Sequence, residues 1–320
     1  MKNNKVLKAL LRYNLFVYLP EVIFRNTRKT KAEFIHPEDA AALRQLESIP
    51  GFPSFIKSIL ALGLEKLQYG INMASCVRLS ETQLPEVYKH LPPICTKLGI
   101  AEHEFYLMMD PMPNAWTFGD TKIFITVTSG LLSMMNDEEL DAVIAHECGH
   151  ILCRHVLYHS VARYILSGID SLGILGKLTI PIQLGFLYWQ RKSELSCDRA
   201  AAIVTSAEVV SRTMARLSAG PRDLTGRLNL EEWAAQAEKY DEIWNSNSWN
   251  KALQVYAIAG QNHPFAAVRV REILKWEKTE EYHRLKTGLL TSCSEARCPN
   301  CRKTVNADWD FCQYCGYRLK

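Results

Sequence analysis

The chain has 320 residues, room for one large or two ordinary domains and too much for a disulfide-stapled miniature fold. With 48% hydrophobic and 22% charged residues it lies outside the composition of disorder, so most of it is expected to fold. Its net charge of +4 divides unevenly: residues 1–31 carry eight basic side chains against Glu21 alone, a balance of +7, and the rest carries 30 basic and 33 acidic ones, or −3, so nucleic-acid binding by the whole protein is not expected.

In chain order, the first third reads as helical. Lys5, Lys8 and Arg12 fall on one side of a helix with Leu7, Leu10, Leu11 and Leu15 on another, and Pro20 ends it. Two readings stay open for this arm: a helix packed on the body, or peripheral adhesion to an anionic membrane surface through residues 1–31. Arg12 and Asn14 interrupt what would otherwise resemble a secretory signal. No run reaches the ~18 apolar residues of a spanning helix, and Ser171 to Gln190, with Lys177, Pro181 and Gln183, reads as a buried or docking segment.

Strand-like stretches follow at Phe105 to Met109 and Lys122 to Val127, separated by Pro111, Pro113 and Gly119. Asn136, with acids at 137, 138 and 139, opens a helix by a capping box, and its periodicity is expected to continue well past His150. Further helices are expected over Ala207 to Leu217 and Leu230 to Tyr240, with breaks at Gly220-Pro221 and at 245–250. Few strands among many helices make the class α+β, mostly α. The divisions expected are an N-terminal helical region with its basic arm (1–79), a catalytic domain (80–285), a linker (286–297) and a cysteine-rich tail (298–320).

That capped helix contains His146-Glu147-Cys148-Gly149-His150. Residues i and i+4 lie one above the other on a helix face, so both imidazoles can reach one zinc ion, with Glu147 beside the open position as general base. A catalytic zinc needs a third protein ligand. A Gly and a His at positions 153 and 156 would extend the motif in the metzincin manner, but Cys153 and Val156 stand there. His155 and His159 fall off the zinc-facing stripe and read as structural or solvent-facing. Glu194 is the better third ligand, and Asp198 at i+4 can orient a ligating histidine from behind.

The pairing of H-E-x-x-H at 146–150 with E-x-x-x-D at 194–198 resembles peptidase family 48, the gluzincin group that includes prenyl-protein endopeptidases and bacterial heat-shock membrane proteases. Asn114-Ala115-Trp116 is similar to that family's edge strand, and His263-Pro264 with Arg269 to its late motif. The resemblance implies a gluzincin-like core with a small sheet, endopeptidase activity on peptide or protein substrates, substrate binding at Asn114, Ala115 and Trp116 by backbone pairing, and oxyanion stabilisation by His263 or Arg269. Many members carry spanning helices that this sequence lacks, so prenylated or transmembrane substrates are not carried over. Cys148 and Cys197, inside the two metal-binding segments, read as small buried residues rather than redox controls.

Cys298, Cys301, Cys312 and Cys315 have zinc-ribbon spacing. Four thiolates close a tetrahedron, so this second zinc is structural, and the module is expected to dock a protein partner. Its core is assigned to Trp309, Phe311, Tyr314 and Tyr317. Scattered single cysteines elsewhere suit a reducing, cytoplasmic setting. The expected protein is thus a zinc metalloendopeptidase with one catalytic and one structural zinc. The alternative is a catalytically silent, peptidase-like adaptor that binds partners through ribbon and arm.

Overall fold

The computed structural model describes residues 35–52, 55–56, 59, 63–120, 122–166, 180–245, 265–291, 295–302, 304–306, 312, 315 and 317–319. The basic arm, His263, Trp309, Phe311 and Tyr314 lie outside them. No helix among the described residues is long and apolar enough to cross a membrane.

The helices used below are α1 (Pro37–Glu47), α2 (Leu64–Ser75), α3 (Leu91–Leu98), α4 (Ser129–Met134), α5 (Asp137–Leu152), α6 (Val156–Leu166), α7 (Ile180–Val204), α8 (Ala207–Ala219), α9 (Leu230–Asn245), α10 (Ala266–Glu277) and α11 (Glu280–Thr291). The strands β1 (Val77–Arg78), β2 (Glu104–Met108), β3 (Ala115–Phe118) and β4 (Phe124–Thr128) form one mixed sheet in the order β1-β2-β4-β3. β2 and β4 run parallel while β3 returns antiparallel to β4. An interior strand, Phe-Ile-Thr-Val-Thr of β4 is buried at every position, its two threonines included. The fold class is the expected mostly helical α+β, and β3 lies where the resemblance implied an edge strand, starting one residue later at Ala115.

Period-2 alternation sorts the sheet's side chains onto two faces. Phe105, Ala115, Ile125 and Val127 join the main core around α5, whereas Tyr106, Trp116, Phe118 and Phe124 form a separate aromatic cluster. On that second side lies α2, where Asn72 Nδ2 donates to Thr126 Oγ1 at 2.9 Å.

Asn136 does cap α5: its Oδ1 accepts from Glu139 N at 2.8 Å and its own N–H donates to the Glu139 carboxylate at 3.1 Å. The helix ends earlier than its periodicity predicts. At Leu152 it stops, Arg154 turns at φ 62°, and a new helix, α6, starts at Val156. His155 and His159 therefore lie off α5, yet the turn brings their rings to 5.5 and 4.4 Å from that of His150.

α5 and α7 cross at Gly149. A Cβ there would stand 3.0 Å from the Cys197 Cα and 3.1 Å from the Ala200 Cβ, so the absent side chain on one helix and small ones on the other permit the close approach. The expected linker is structured over most of its length: residues 286–291 belong to α11 and 295–297 to strand β5 (Glu295–Arg297), which pairs antiparallel with β6 (Thr304–Asn306). Upstream of residue 80, β1 pairs with β2.

Candidate metal centre and active site

Where the two helices cross, four side chains converge. His146 Nε2 lies 3.3 Å from Glu194 Oε2, and His150 Nε2 lies 3.5 Å from Glu194 Oε1. Ligands ~2.0–2.1 Å from a tetrahedral zinc stand about 3.3–3.4 Å from one another, a separation close to both of these, with each histidine facing its own oxygen of Glu194. The donor set, two imidazoles and a carboxylate, is that of a catalytic zinc with one position left open. The Asp198 carboxylate accepts from His146 Nδ1 at 3.0 Å, which fixes the tautomer that leaves Nε2 facing Glu194. The Nδ1 of His150 is buried with no hydrogen-bond partner among the described residues.

The electrostatics favour a cation. Burial opposes charge on His146, but Glu194 and Asp198 beside it outweigh burial and hold its pKa up at about 10. Burial and the neighbouring His159 push His150 well down. Asp198 stays below the usual carboxylate range because Arg269 and His146 overcome the cost of its burial. Arg269 is 5% exposed, grips Asp198 with Nε at 2.8 Å and a terminal nitrogen at 2.6 Å, and reaches Glu194 with the other at 3.0 Å. All three nitrogens are committed to carboxylates. Arg269 thus bridges the two carboxylates of α7 and braces the ligand helix, a role its spacing in the sequence gave no hint of.

Glu147 is 3% exposed and its Oε2 accepts from Thr117 Oγ1 at 2.7 Å. Thr117 was missed in the sequence. It sits two residues beyond Ala115, so strand alternation puts both on the face toward α5. Trp116 points the opposite way, into the aromatic cluster with the Arg163 guanidinium 5.0 Å from its ring, so its side chain does not face the centre. Asn114 precedes the strand and is locked to Thr128, donating N–H to Oγ1 at 2.9 Å and accepting from Thr128 N at 3.0 Å. Ala115, Leu131, Val143, Val210, Met214 and Leu217 line an apolar pocket whose wall also includes His146 and Glu147.

His155 is buried, 1% exposed, and His159 half-buried, and their rings lie 5.5 and 4.4 Å from that of His150. Burial drives the His159 pKa down to about 3. Cys148 and Cys197 are both buried.

The tail's four cysteines form a second cluster, with Sγ atoms of Cys298 and Cys315 3.7 Å apart and of Cys301 and Cys312 3.5 Å apart. Zinc bonds of ~2.3 Å would set tetrahedral sulfurs about 3.8 Å apart. Asn300 Nδ2 donates to Cys315 Sγ and helps lower that thiol's pKa to about 6, toward the thiolate a metal requires. Val305 and Leu319 pack with the cysteines; of the aromatic residues expected in this core only Tyr317 is described, and it is exposed.

Comparison with known proteins places these features. Residues 81–277 match Peptidase family M48, and residues 294–320 match a domain of unknown function, DUF7575. The chain is 30% identical over 287 residues to the plastoglobule-localized metallopeptidase 48 of Arabidopsis thaliana chloroplasts, an alignment covering 88% of this chain and 82% of that one. It is 28% identical to a protease HtpX homolog of Trichormus variabilis, over 62% of this chain and 76% of the relative. A protease HtpX homolog of Nostoc is 27% identical, over 67% and 81%. With its model match spanning more than half of the sequence, the chain belongs to peptidase family M48 and is a metalloprotease acting on peptide or protein substrates.

Proposed function

We propose that the protein is a zinc-dependent endopeptidase whose metal is held by His146, His150 and Glu194. The observation that carries this is the convergence of the two Nε2 atoms on the Glu194 carboxylate at 3.3 and 3.5 Å. Zinc in such a site lowers the pKa of a water to about 7 and polarises the scissile carbonyl.

The protein's own groups do the rest. Glu147, aimed by Thr117, takes the proton of the attacking water and returns it to the leaving amine. Asp198 and Arg269 hold His146 and Glu194 in place, so that neither swings when charge develops. An extended peptide pairs its backbone near Asn114 and Ala115 at the sheet's edge. One of its apolar side chains enters the pocket between α5 and α8. The four tail cysteines hold a structural zinc that takes no part in cleavage.

The test is a peptide-library digest with the full chain and with Glu147→Gln, alongside a metal count. Two zinc ions per chain in both proteins, and cleavage by the wild type alone, fit the proposal. Cleavage by Glu147→Gln at the wild-type rate refutes the mechanism, and one zinc per chain, resistant to chelation, points to the silent adaptor.

A further inference from the structure

Helix α1 precedes the segment that matches the family, yet it carries a buried carboxylate aimed at the back of the metal centre. Asp39 is 1% exposed. It accepts from Trp189 Nε1 at 3.2 Å, from His155 Nε2 at 3.0 Å and from Ser196 Oγ at 2.5 Å. Ser196 in turn accepts from the backbone N–H of His36 at 2.9 Å, and it sits on α7 two residues from both Glu194 and Asp198. His155, oriented by Asp39, turns Nδ1 toward Cys197 Sγ at 3.6 Å and packs edge-on against the His150 ring. Beside it, His159 meets Ser193 Oγ at 2.7 Å and lies against the same ring. The Trp189 indole closes this layer, standing edge-on to both histidines.

We propose that Asp39 is a positioning residue for the metal centre, fixing His150 through His155 and the Glu194 segment through Ser196. The inference depends on His146, His150 and Glu194 being the metal ligands. Hydrophobic burial alone does not account for the arrangement. Ala42 and Leu46 already dock α1 on the cluster around Phe186 and Trp189, and they do so without regard to direction. A buried carboxylate is different, because it is costly unless its bonds are satisfied, and those bonds have preferred directions. Three donors meet on one carboxylate, Trp189 and Ser196 from α7 and His155 from the turn just before α6, so the helix that carries Glu194 and the turn that backs His150 share a fixed point. α1 therefore supplies to the ligands a support that the matched segment does not contain.

The experiment compares Asp39→Ala, Asp39→Asn and Leu46→Ala in the full chain. Zinc affinity is read by chelator competition, alongside melting temperature and steady-state kinetics. Supports behind metal ligands are typically worth 10–100-fold in affinity. Asp39→Ala is expected to weaken the more readily chelated zinc by roughly 10-fold, lower kcat and leave KM and the resistant zinc unchanged. Asp39→Asn, with one acceptor oxygen in place of two, should fall between it and the wild type. Leu46→Ala is expected to lose at least as much melting temperature while keeping wild-type zinc affinity.

Equal loss of zinc affinity in Leu46→Ala would overturn the proposal, since the effect would then follow stability alone. So would wild-type affinity in Asp39→Asn together with wild-type kcat, a result that stands even where Asp39→Ala fails to fold. The wild-type metal count is made first: a chain holding only the tail's zinc removes the ligand assignment itself, whereas two zinc ions with an insensitive Asp39 remove this inference alone.

Discussion

Replacing Gly149 by alanine isolates what the α5–α7 crossing does for the metal centre. The added Cβ would stand 3.0 Å from the Cys197 Cα, 3.1 Å from the Ala200 Cβ and 3.3 Å from the Cys197 Cβ. Carbon atoms prefer about 3.5–4.0 Å, so the helices must part by a few tenths of an ångström. Two effects then compete in stability. Alanine gains about 1 kcal/mol over glycine inside a helix, and overpacking typically costs 1–3 kcal/mol, which leaves a net loss of about 0–2 kcal/mol.

The metal feels the displacement more sharply. Glu194 is carried on α7 and the histidines on α5, at separations of 3.3 and 3.5 Å that already match a zinc tetrahedron. Parting the helices pulls one ligand from the other two, so zinc affinity is expected to drop at least 10-fold while melting temperature falls by no more than about 8 °C. Chelator competition gives the affinity, and Gly149→Ala with Ala200→Gly should restore part of it by removing the 3.1 Å contact. Wild-type zinc affinity in Gly149→Ala would refute the claim that close helix approach sets the ligand geometry.

Three further outcomes follow from the site. Thr117→Val removes a 2.7 Å hydrogen bond to a buried carboxylate; bonds to charged groups are worth about 1.5–3 kcal/mol, so kcat should fall roughly 10–100-fold at unchanged zinc content, and an unaltered kcat contradicts the aiming role. Met214→Ala enlarges the apolar pocket and is expected to shift kcat/KM by about 10-fold toward peptides with a larger apolar residue beside the cleavage site; a library digest with no such shift removes the pocket from the specificity account. In zinc-free protein, His146 binds its proton more tightly than in the unfolded chain, with its pKa raised from 6.5 to about 10. That contribution to stability is full below about pH 6.5 and lost as pH rises through about 10. Asp198 and Asp39, both depressed, contribute above about pH 4 and lose that contribution as pH falls further. Melting temperature should decline at both ends, and a flat alkaline limb would contradict the His146 assignment.

Some of this protein is written in local sequence. The capping box at Asn136, the i and i+4 histidines, and the E-x-x-x-D spacing are short-range features, and each depends on helix geometry that a few residues dictate. The same holds for the paired tail cysteines. Composition and helical periodicity were enough for the mostly α class.

What local pattern could not show is where the chain turns and which distant groups meet. The helical pattern runs on through His155 and His159, but Arg154 takes a left-handed turn, and the two rings fold back against His150. For Arg269 the family resemblance offered only an oxyanion role. It is consumed by two carboxylates more than 70 residues away. Thr117 and Asp39 carried no motif at all, since a single threonine on a strand or aspartate in a helix is commonplace. Motifs named the ligands because their spacing is a property of one helix. The supports behind those ligands were decided by tertiary structure, because a buried carboxylate or guanidinium takes its partners from whatever the packing of separate helices and strands brings within about 3 Å.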